Sequence, residues 1–533
     1  MQALLGTYTT ATLPSASSVI AGTQAYTTDA GLQVSNGKAW GGSTINRTLL
    51  GKIRAALAAS AGGQNVAQRA PLLAPATWAA TTGYAQGQVV TNTGGGAGNL
   101  YICATPFATS AGSGGPTGQG SALIVDGGVT WQYFGPVLTA ANQAGAPTVT
   151  ANVALSTPGA KTWFYANPLA TSNSATLGDP GFFLFDGGFW QANVVASLNV
   201  LSCWNALGAA TGSAQTVGGI ASAFWNNGTG SVTFWSDAPK LHIGSIFSGG
   251  GSGYLEIDDM PVSDSHFIGG PAAGTVIDWT AVGGRKTRKY RVWCQSFLGV
   301  AVYDAISQVW AYQPPNAYKI AWSGDSISAN VGSSAGPFGC GNYDAVRRFT
   351  RLIGCDYVVN NAVPGSGFFT PINGYNFLGA AVLYTLIQPD VIFVAGNYND
   401  NGSTGVTSAQ RQAATLAYLT AMRTAYPNAM IVIYGPWGGQ FNGNAVITTC
   451  EADMATAITQ FGDANVFFIP LIARSPAFAW VTGTGKISAP SGQGNADSYV
   501  WTDGTHPICI AHKEYIPRVY AEGFRALINS LSA

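Results

Sequence analysis

Charge is scarce in this chain. Asp, Glu, Lys and Arg make up 9% of its 533 residues, against about 25% in an ordinary soluble domain. The formal net charge is zero and no Lys/Arg patch forms, so nucleic acid is excluded as an expected partner. The seven cysteines (103, 203, 294, 340, 355, 450, 509) include no C-x-x-C pair. Their odd number and wide spacing exclude a disulfide framework and a zinc site, which leaves buried thiols. Asp264 and His266 share a turn, but two ligands do not make a metal site; neither metal nor cofactor is expected. No apolar run reaches the ~20 residues of a membrane span: the most apolar stretch, 377–396, is broken by Gln388, Pro389 and Asp390. Membrane insertion is therefore not expected. The start, MQALLGTYTTATLPSA, lacks the basic segment and apolar run of a secretory signal. There is no β-helix repeat and no convincing carboxylate pair, which argues against cleavage of a polysaccharide backbone.

What is present is apolar and rich in glycine. Hydrophobic residues make up 47% and glycine contributes 70 residues, which suits a β-rich chain with a surface of Ser, Thr, Asn and Gly. A composition that looks exported, without a secretory signal, fits a virion part released by lysis; a secreted bacterial protein whose signal was removed is the alternative. The length suggests several domains at ~100–200 residues each, and four regions are expected: 1–70, 71–137, 138–315 and 316–533.

Residues 1–70 combine short strands up to Trp40 with a helix over 46–60, whose Leu49, Leu50, Ile53 and Leu57 recur at helical spacing. Leu13-Pro14-Ser15-Ala16, Ala21-Gly22, Ala25-Tyr26 and Ser35-Asn36-Gly37-Lys38-Ala39-Trp40 resemble a short module near the start of bacteriophage tail proteins. That resemblance implies docking to other tail proteins. In 71–137, Trp78, Tyr84, Gly87, Val90, Asp126 and Trp131 resemble the small chitin-binding-type β modules. The resemblance implies a glycan platform of Trp78, Tyr84 and Trp131, since aromatic faces stack on apolar sugar faces; the competing reading makes the same rings the core of a small domain. Residues 138–315 read as strands, for example 232–239, 254–262 and 289–303, and resemble the jelly-roll-like β-sandwich placed before esterase domains.

From Lys319 the rhythm becomes strand–helix alternation. Strands are expected at 319–325, 356–363, 390–397, 429–436 and 466–471. Helices are expected near 343–352, 378–387, 409–425 and 516–531. This pattern predicts a parallel sheet covered on both faces, with its active site at the carboxyl ends of the strands. Those ends read Gly324-Asp325-Ser326, Pro364-Gly365-Ser366-Gly367 and Gly396-Asn397-Tyr398-Asn399-Asp400, and Asp503-Gly504-Thr505-His506 follows near the C-terminus. A serine esterase needs a nucleophile, a base, an orienting acid and oxyanion donors. Ser326, His506 and Asp503 can supply the first three. The N–H groups of Ser326 and Gly365 and the Asn399 amide can supply the donors, with Asp325 and Asp400 in support.

This ordered set resembles the SGNH-hydrolase (GDSL-like lipase and esterase) family over about 318–533. The resemblance implies a three-layer α/β, flavodoxin-like domain and the triad Ser326–His506–Asp503. It also implies an oxyanion hole of Ser326, Gly365 and Asn399. One departure stands out: the third block is normally Gly-x-Asn-Asp, and Asn397 replaces its Gly. A rival nucleophile, Ser334 in the G-x-S-x-G of 332–336, lies eight residues past the strand, and that motif needs a strand directly before it. His512 is expected in a surface or packing role.

The setting narrows the substrate. A phage-tail-like start and a sugar-module resemblance ahead of an esterase imply a tailspike enzyme that deacetylates an acetylated bacterial surface polysaccharide, with a homotrimer expected by analogy. The alternatives are a lipase or thioesterase and a non-catalytic receptor-binding tail protein.

Overall fold

The computed structural model describes residues 4–8, 24–27, 31–35, 40–42, 47–61, 76–84, 89–92, 94, 99–103, 108–118, 124–136, 147–155, 162–165, 182–186, 189–195, 198–207, 215–217, 220–222, 224–225, 230–246, 254–258, 260–262, 273–282, 284–294, 296–312, 318–329, 345–355, 357–372, 376–381, 384, 388–401, 405–438, 445–472, 483–492, 496–508 and 511–531. Ser334, Asp264 and His266 lie outside the described residues.

Helix α1 (Arg47–Ala61) forms where the 3.6-residue spacing predicts it. Its apolar stripe, Leu49, Leu50, Ile53 and Ala56, is not spent within the N-terminal region. It joins the core of the C-terminal domain, against Phe349, Ile353 and Phe524.

The β-rich region is two sheets sharing one core. One sheet runs through Thr148–Ala154, Ala273–Asp278, Lys240–Ile246, Ser296–Val302, Leu198–Leu207 and Phe189–Val195, and the other through Leu184–Asp186, Gly230–Ser236, Arg288–Cys294, Tyr254–Ile257 and Met260–Pro261. Leu241, Ile243, Ile277 and Val300 of the first face Val232, Phe234, Leu255, Tyr290 and Val292 of the second. The period of two puts the alternate residues of the second sheet on its outer face. That face meets the C-terminal domain: Glu256 binds Arg351 at 2.6 Å, and the Arg347 guanidinium sits 4.7 Å from the Trp293 ring.

The C-terminal domain has strands β1 (Ile320–Gly324), β2 (Val358–Asn360), β3 (Val391–Ala395), β4 (Met430–Tyr434) and β5 (Val466–Ile469). All pairings are parallel, in the order β2-β1-β3-β4-β5, which is the flavodoxin-like order. β1, β3 and β4 are buried throughout, as expected of parallel strands covered on both faces. Trp322 packs into one layer with α2 (Ala345–Leu352) and α5 (Ile516–Ser530). Its neighbour Ala321 packs into the opposite layer with α3 (Ser408–Ala425) and α4 (Ala445–Phe461). α3 starts at a capping box, Thr407 with Gln410, which satisfies two end donors reciprocally. The helix expected over 378–387 is a short one, Phe377–Ala380, followed by residues mostly outside those described. The chain leaves β1 for β2 on one side and returns to β3 on the other. In this topology the crevice opens at that reversal, beyond the carboxyl ends of β1 and β3.

Candidate active site

Ser326 lies two residues past β1, in the turn that follows the strand. Its hydroxyl is 3.0 Å from His506 Nε2, and His506 Nδ1 is 2.7 Å from Asp503 Oδ2. The residues come from opposite ends of the domain, 180 positions apart. With Nδ1–H donating to the carboxylate, Nε2 is the acceptor for the Ser326 hydroxyl. Asp503 also accepts the backbone N–H groups of Thr505 (2.8 Å) and His506 (2.9 Å) through Oδ1. Partial burial opposes its charge, but these hydrogen bonds, the one from the His506 side chain foremost, outweigh it and hold its pKa below the ordinary carboxylate value. The Asp-x-x-His spacing thus closes on itself within one turn.

Two residues not singled out in the sequence brace that turn. Trp437 Nε1 donates to Thr505 O at 2.6 Å, and the Tyr398 hydroxyl lies 3.3 Å from Thr505 Oγ1. Both sit just past strand ends, β4 and β3 respectively: Tyr398 lies inside the 396–400 block, and extending the strand-end rule to β4 would have found Trp437.

Gly365 has φ +81°, a left-handed conformation that costs an L side chain about 1–2 kcal/mol, hence glycine. Asn399 Nδ2 donates to Ser366 O at 2.9 Å, which ties the amide to the loop carrying Gly365. This bond fixes the direction in which the amide points. Asn397, in the position of the family's glycine, has φ 78° and ψ 14° and stands at the start of the short 3₁₀ turn Tyr398–Asp400. Asparagine is among the few L residues that tolerate this region. Asn397 thus holds a left-handed conformation of the kind that favours glycine.

Asp325 and Asp400 are fully buried and each joins separate strand ends. Asp325 Oδ1 accepts Ile327 N–H at 3.0 Å and its Oδ2 lies 3.4 Å from Tyr398 N. Burial pushes its pKa up to about 6, against the opposing pull of the backbone donors of Ile327 and Tyr398 and of His506. Asp400 accepts Phe369 N–H (2.9 Å) and Thr370 N–H (2.7 Å). A Cβ on Gly367 would fall 2.4 Å from Asp400 Oδ1, so that glycine permits the close approach. His512 is fully buried, and burial lowers its pKa to about 3; of its two expected roles it takes packing, not surface.

The expected glycan platform is corrected. Trp131 and Tyr84 are core residues of the small module, 0% and 2% exposed, in edge contact at 4.9 Å. Asp126 Oδ2 accepts the indole N–H groups of Trp78 (2.8 Å) and Trp131 (3.0 Å). The segment Asp126–Trp131 is thus a structural hub. A domain this small has few other large side chains with which to exclude water. Trp78 is half-buried with its N–H committed.

Among the described residues no group of three or more His, Cys, Asp or Glu is placed to hold a metal, and no described helix is long and apolar enough to cross a membrane. Cysteines 103, 294, 355 and 450 are buried thiols.

Residues 323–508 match the GDSL-like Lipase/Acylhydrolase family, so the C-terminal domain is a serine ester hydrolase domain. No curated protein matches the chain. Several solved structures resemble it. A family two carbohydrate esterase from Cellvibrio japonicus is 12% identical, with a TM-score of 0.47 over 70% of this chain and 99% of that one. An acetyl xylan esterase from the rumen bacterium Butyrivibrio proteoclasticus is 14% identical, with a TM-score of 0.43 over 70% and 99%. A salicylyl-acyltransferase from a tetracycline biosynthetic pathway is 13% identical, with a TM-score of 0.45 over 67% and 96%.

Proposed function

We propose that residues 316–533 remove acetyl groups from an acetylated bacterial surface polysaccharide, as the catalytic part of a bacteriophage tail or tailspike protein. The chemistry rests on one observation: the unbroken relay from Asp503 to His506 at 2.7 Å and from His506 to Ser326 at 3.0 Å. Ser326 Oγ attacks the acetyl carbonyl carbon as its proton passes to His506 Nε2. The carbonyl oxygen becomes an oxyanion, held by Ser326 N–H, Gly365 N–H and Asn399 Nδ2. His506 then gives its proton to the departing sugar oxygen, the ester C–O bond breaks, and an acetyl-Ser326 ester remains. Water repeats the sequence with His506 as base, releasing acetate and restoring the serine. Asp503 stabilises the imidazolium in both halves.

The substrate and setting rest on the sequence: little charge, a tail-protein-like start in 1–70, and a small β module (71–137) and a jelly-roll-like region (138–315) ahead of the esterase. In this reading the N-terminal region joins other tail proteins, the chain acts from the virion at the host surface, and it assembles as a homotrimer. Analytical ultracentrifugation showing a monomer would refute the trimer.

The deciding experiment measures acetate release from p-nitrophenyl acetate and from acetylated bacterial polysaccharides, with wild type and Ser326→Ala. Release that disappears in the variant supports the assignment. Absence of release from every substrate by folded wild type refutes it and favours a non-catalytic receptor-binding role.

A further inference from the structure

Large apolar side chains in solvent are few among the described residues, and two of them share one loop. Phe369 is 39% exposed and Ile372 is 36% exposed. Both follow Gly365 on the segment that leaves β2 and passes the oxyanion donors. Ile372 lies against that glycine: a Cβ built on Gly365 would sit 3.8 Å from Ile372 Cδ1, an ordinary van der Waals contact. Ile372 therefore bounds the space beside Gly365.

The loop is pinned. Asp400 holds Phe369 N–H and Thr370 N–H from one side. Gly367 N–H donates to Thr370 O at 2.9 Å, and Asn376 Nδ2 donates to Phe368 O at 3.0 Å. The preceding ring, Phe368, points inward, 5.0 Å from Phe377 and 5.3 Å from Tyr418. The pinned backbone thus leaves Phe369 as the solvent-exposed ring of the pair, four residues past Gly365. A rigidly held aromatic and an aliphatic side chain next to polar donors have the composition of a ligand subsite: apolar walls around a few polar anchors.

We infer that Phe369 and Ile372 form the apolar subsite for the sugar ring that bears the scissile ester. The C–H face of the ring lies on Phe369, and Ile372 closes the side next to Gly365. The inference rests on the esterase reading above and adds the residues that select the sugar.

The test compares kcat/KM for acetylated polysaccharide with kcat/KM for p-nitrophenyl acetate, which carries no sugar. In Phe369→Ala the ratio should fall roughly tenfold, the loss of one aromatic contact. Phe369→Trp, which keeps an aromatic face, should restore it. An unchanged ratio in Phe369→Ala would overturn the subsite while leaving the esterase standing, and so would a ratio that Trp fails to restore. Wild type that leaves p-nitrophenyl acetate intact, or hydrolysis that survives Ser326→Ala, would overturn the underlying reading instead.

Discussion

Asp400→Asn changes one atom at a point where two backbone donors meet a buried carboxylate. Each carboxylate oxygen of Asp400 takes one of them, Thr370 N–H at 2.7 Å and Phe369 N–H at 2.9 Å. The amide has one acceptor oxygen, so its NH2 must face one of the two N–H groups. Close packing on Gly367 leaves no room for the side chain to swing away. A buried donor left unsatisfied costs about 1–3 kcal/mol. For a domain of this size each kcal/mol lowers the melting temperature by about 2–4 °C, so the C-terminal domain should unfold roughly 3–10 °C lower. The same brace holds the loop of Gly365 and Ser366, to which Asn399 is tied. Turnover of p-nitrophenyl acetate should therefore fall at least ~10-fold, part of the ~10²–10³ that one oxyanion donor supplies. Scanning calorimetry and steady-state kinetics on the same preparation test both halves. A variant that melts within about 1 °C of wild type would refute the hydrogen-bond accounting. A lower melting temperature with unchanged kcat would refute the link from Asp400 to the oxyanion donors.

Asn399→Ala should lower kcat by ~10²–10³ with a much smaller effect on KM; full activity would remove Asn399 from the oxyanion hole. Asn397→Ala should be less stable than Asn397→Gly by about 1 kcal/mol in urea unfolding, because both lose the acceptor for Phe368 N–H and the alanine alone is strained at φ 78°. Equal stabilities would show that the backbone relaxes. Asp325, raised to about 6 in the fold, binds its proton more tightly folded than unfolded. Its contribution is fully present below the unfolded value of ~3.9 and is lost as pH rises through about 6. Asp325→Asn should therefore gain stability relative to wild type between pH 4 and pH 7, and a difference that does not vary with pH would refute the shift. Asp503 behaves oppositely: its lowered pKa gives stability above the unfolded value that fades as pH falls through the folded one.

The candidate groups were legible because the geometry of each motif is local: Ser326, Gly365 and Asn399 follow strands of the sheet, and Asp503 and His506 share one turn. Gly-Asp-Ser, the Gly365 turn and Asp-x-x-His each encode a short-range geometry: a tight turn, a positive φ, a carboxylate folding back over three residues. The parallel sheet was legible for a similar reason, since uninterrupted apolar strands and capped helices carry their own periodicity. Asn397 read as a departure because the sequence shows residue type and not backbone conformation, and asparagine is among the few L residues that tolerate φ 78°.

The sequence by itself determined the order of strands and helices from Lys319 onward and the short list of groups able to attack, relay a proton and hold an oxyanion. Tertiary structure alone decided which side chains are spent on packing and which remain for chemistry. Trp131 and Tyr84 could have served either use, and close packing of a small module committed them to its core. The apolar stripe of α1 could have faced any partner, and it lies against Phe349 and Phe524 of the hydrolase domain. Phe368 and Phe369 are adjacent and chemically identical, yet one is buried and the other is exposed. Burial depends on what arrives from distant parts of the chain, here Asp400 across 31 residues and His506 across 180, and no local pattern records those meetings.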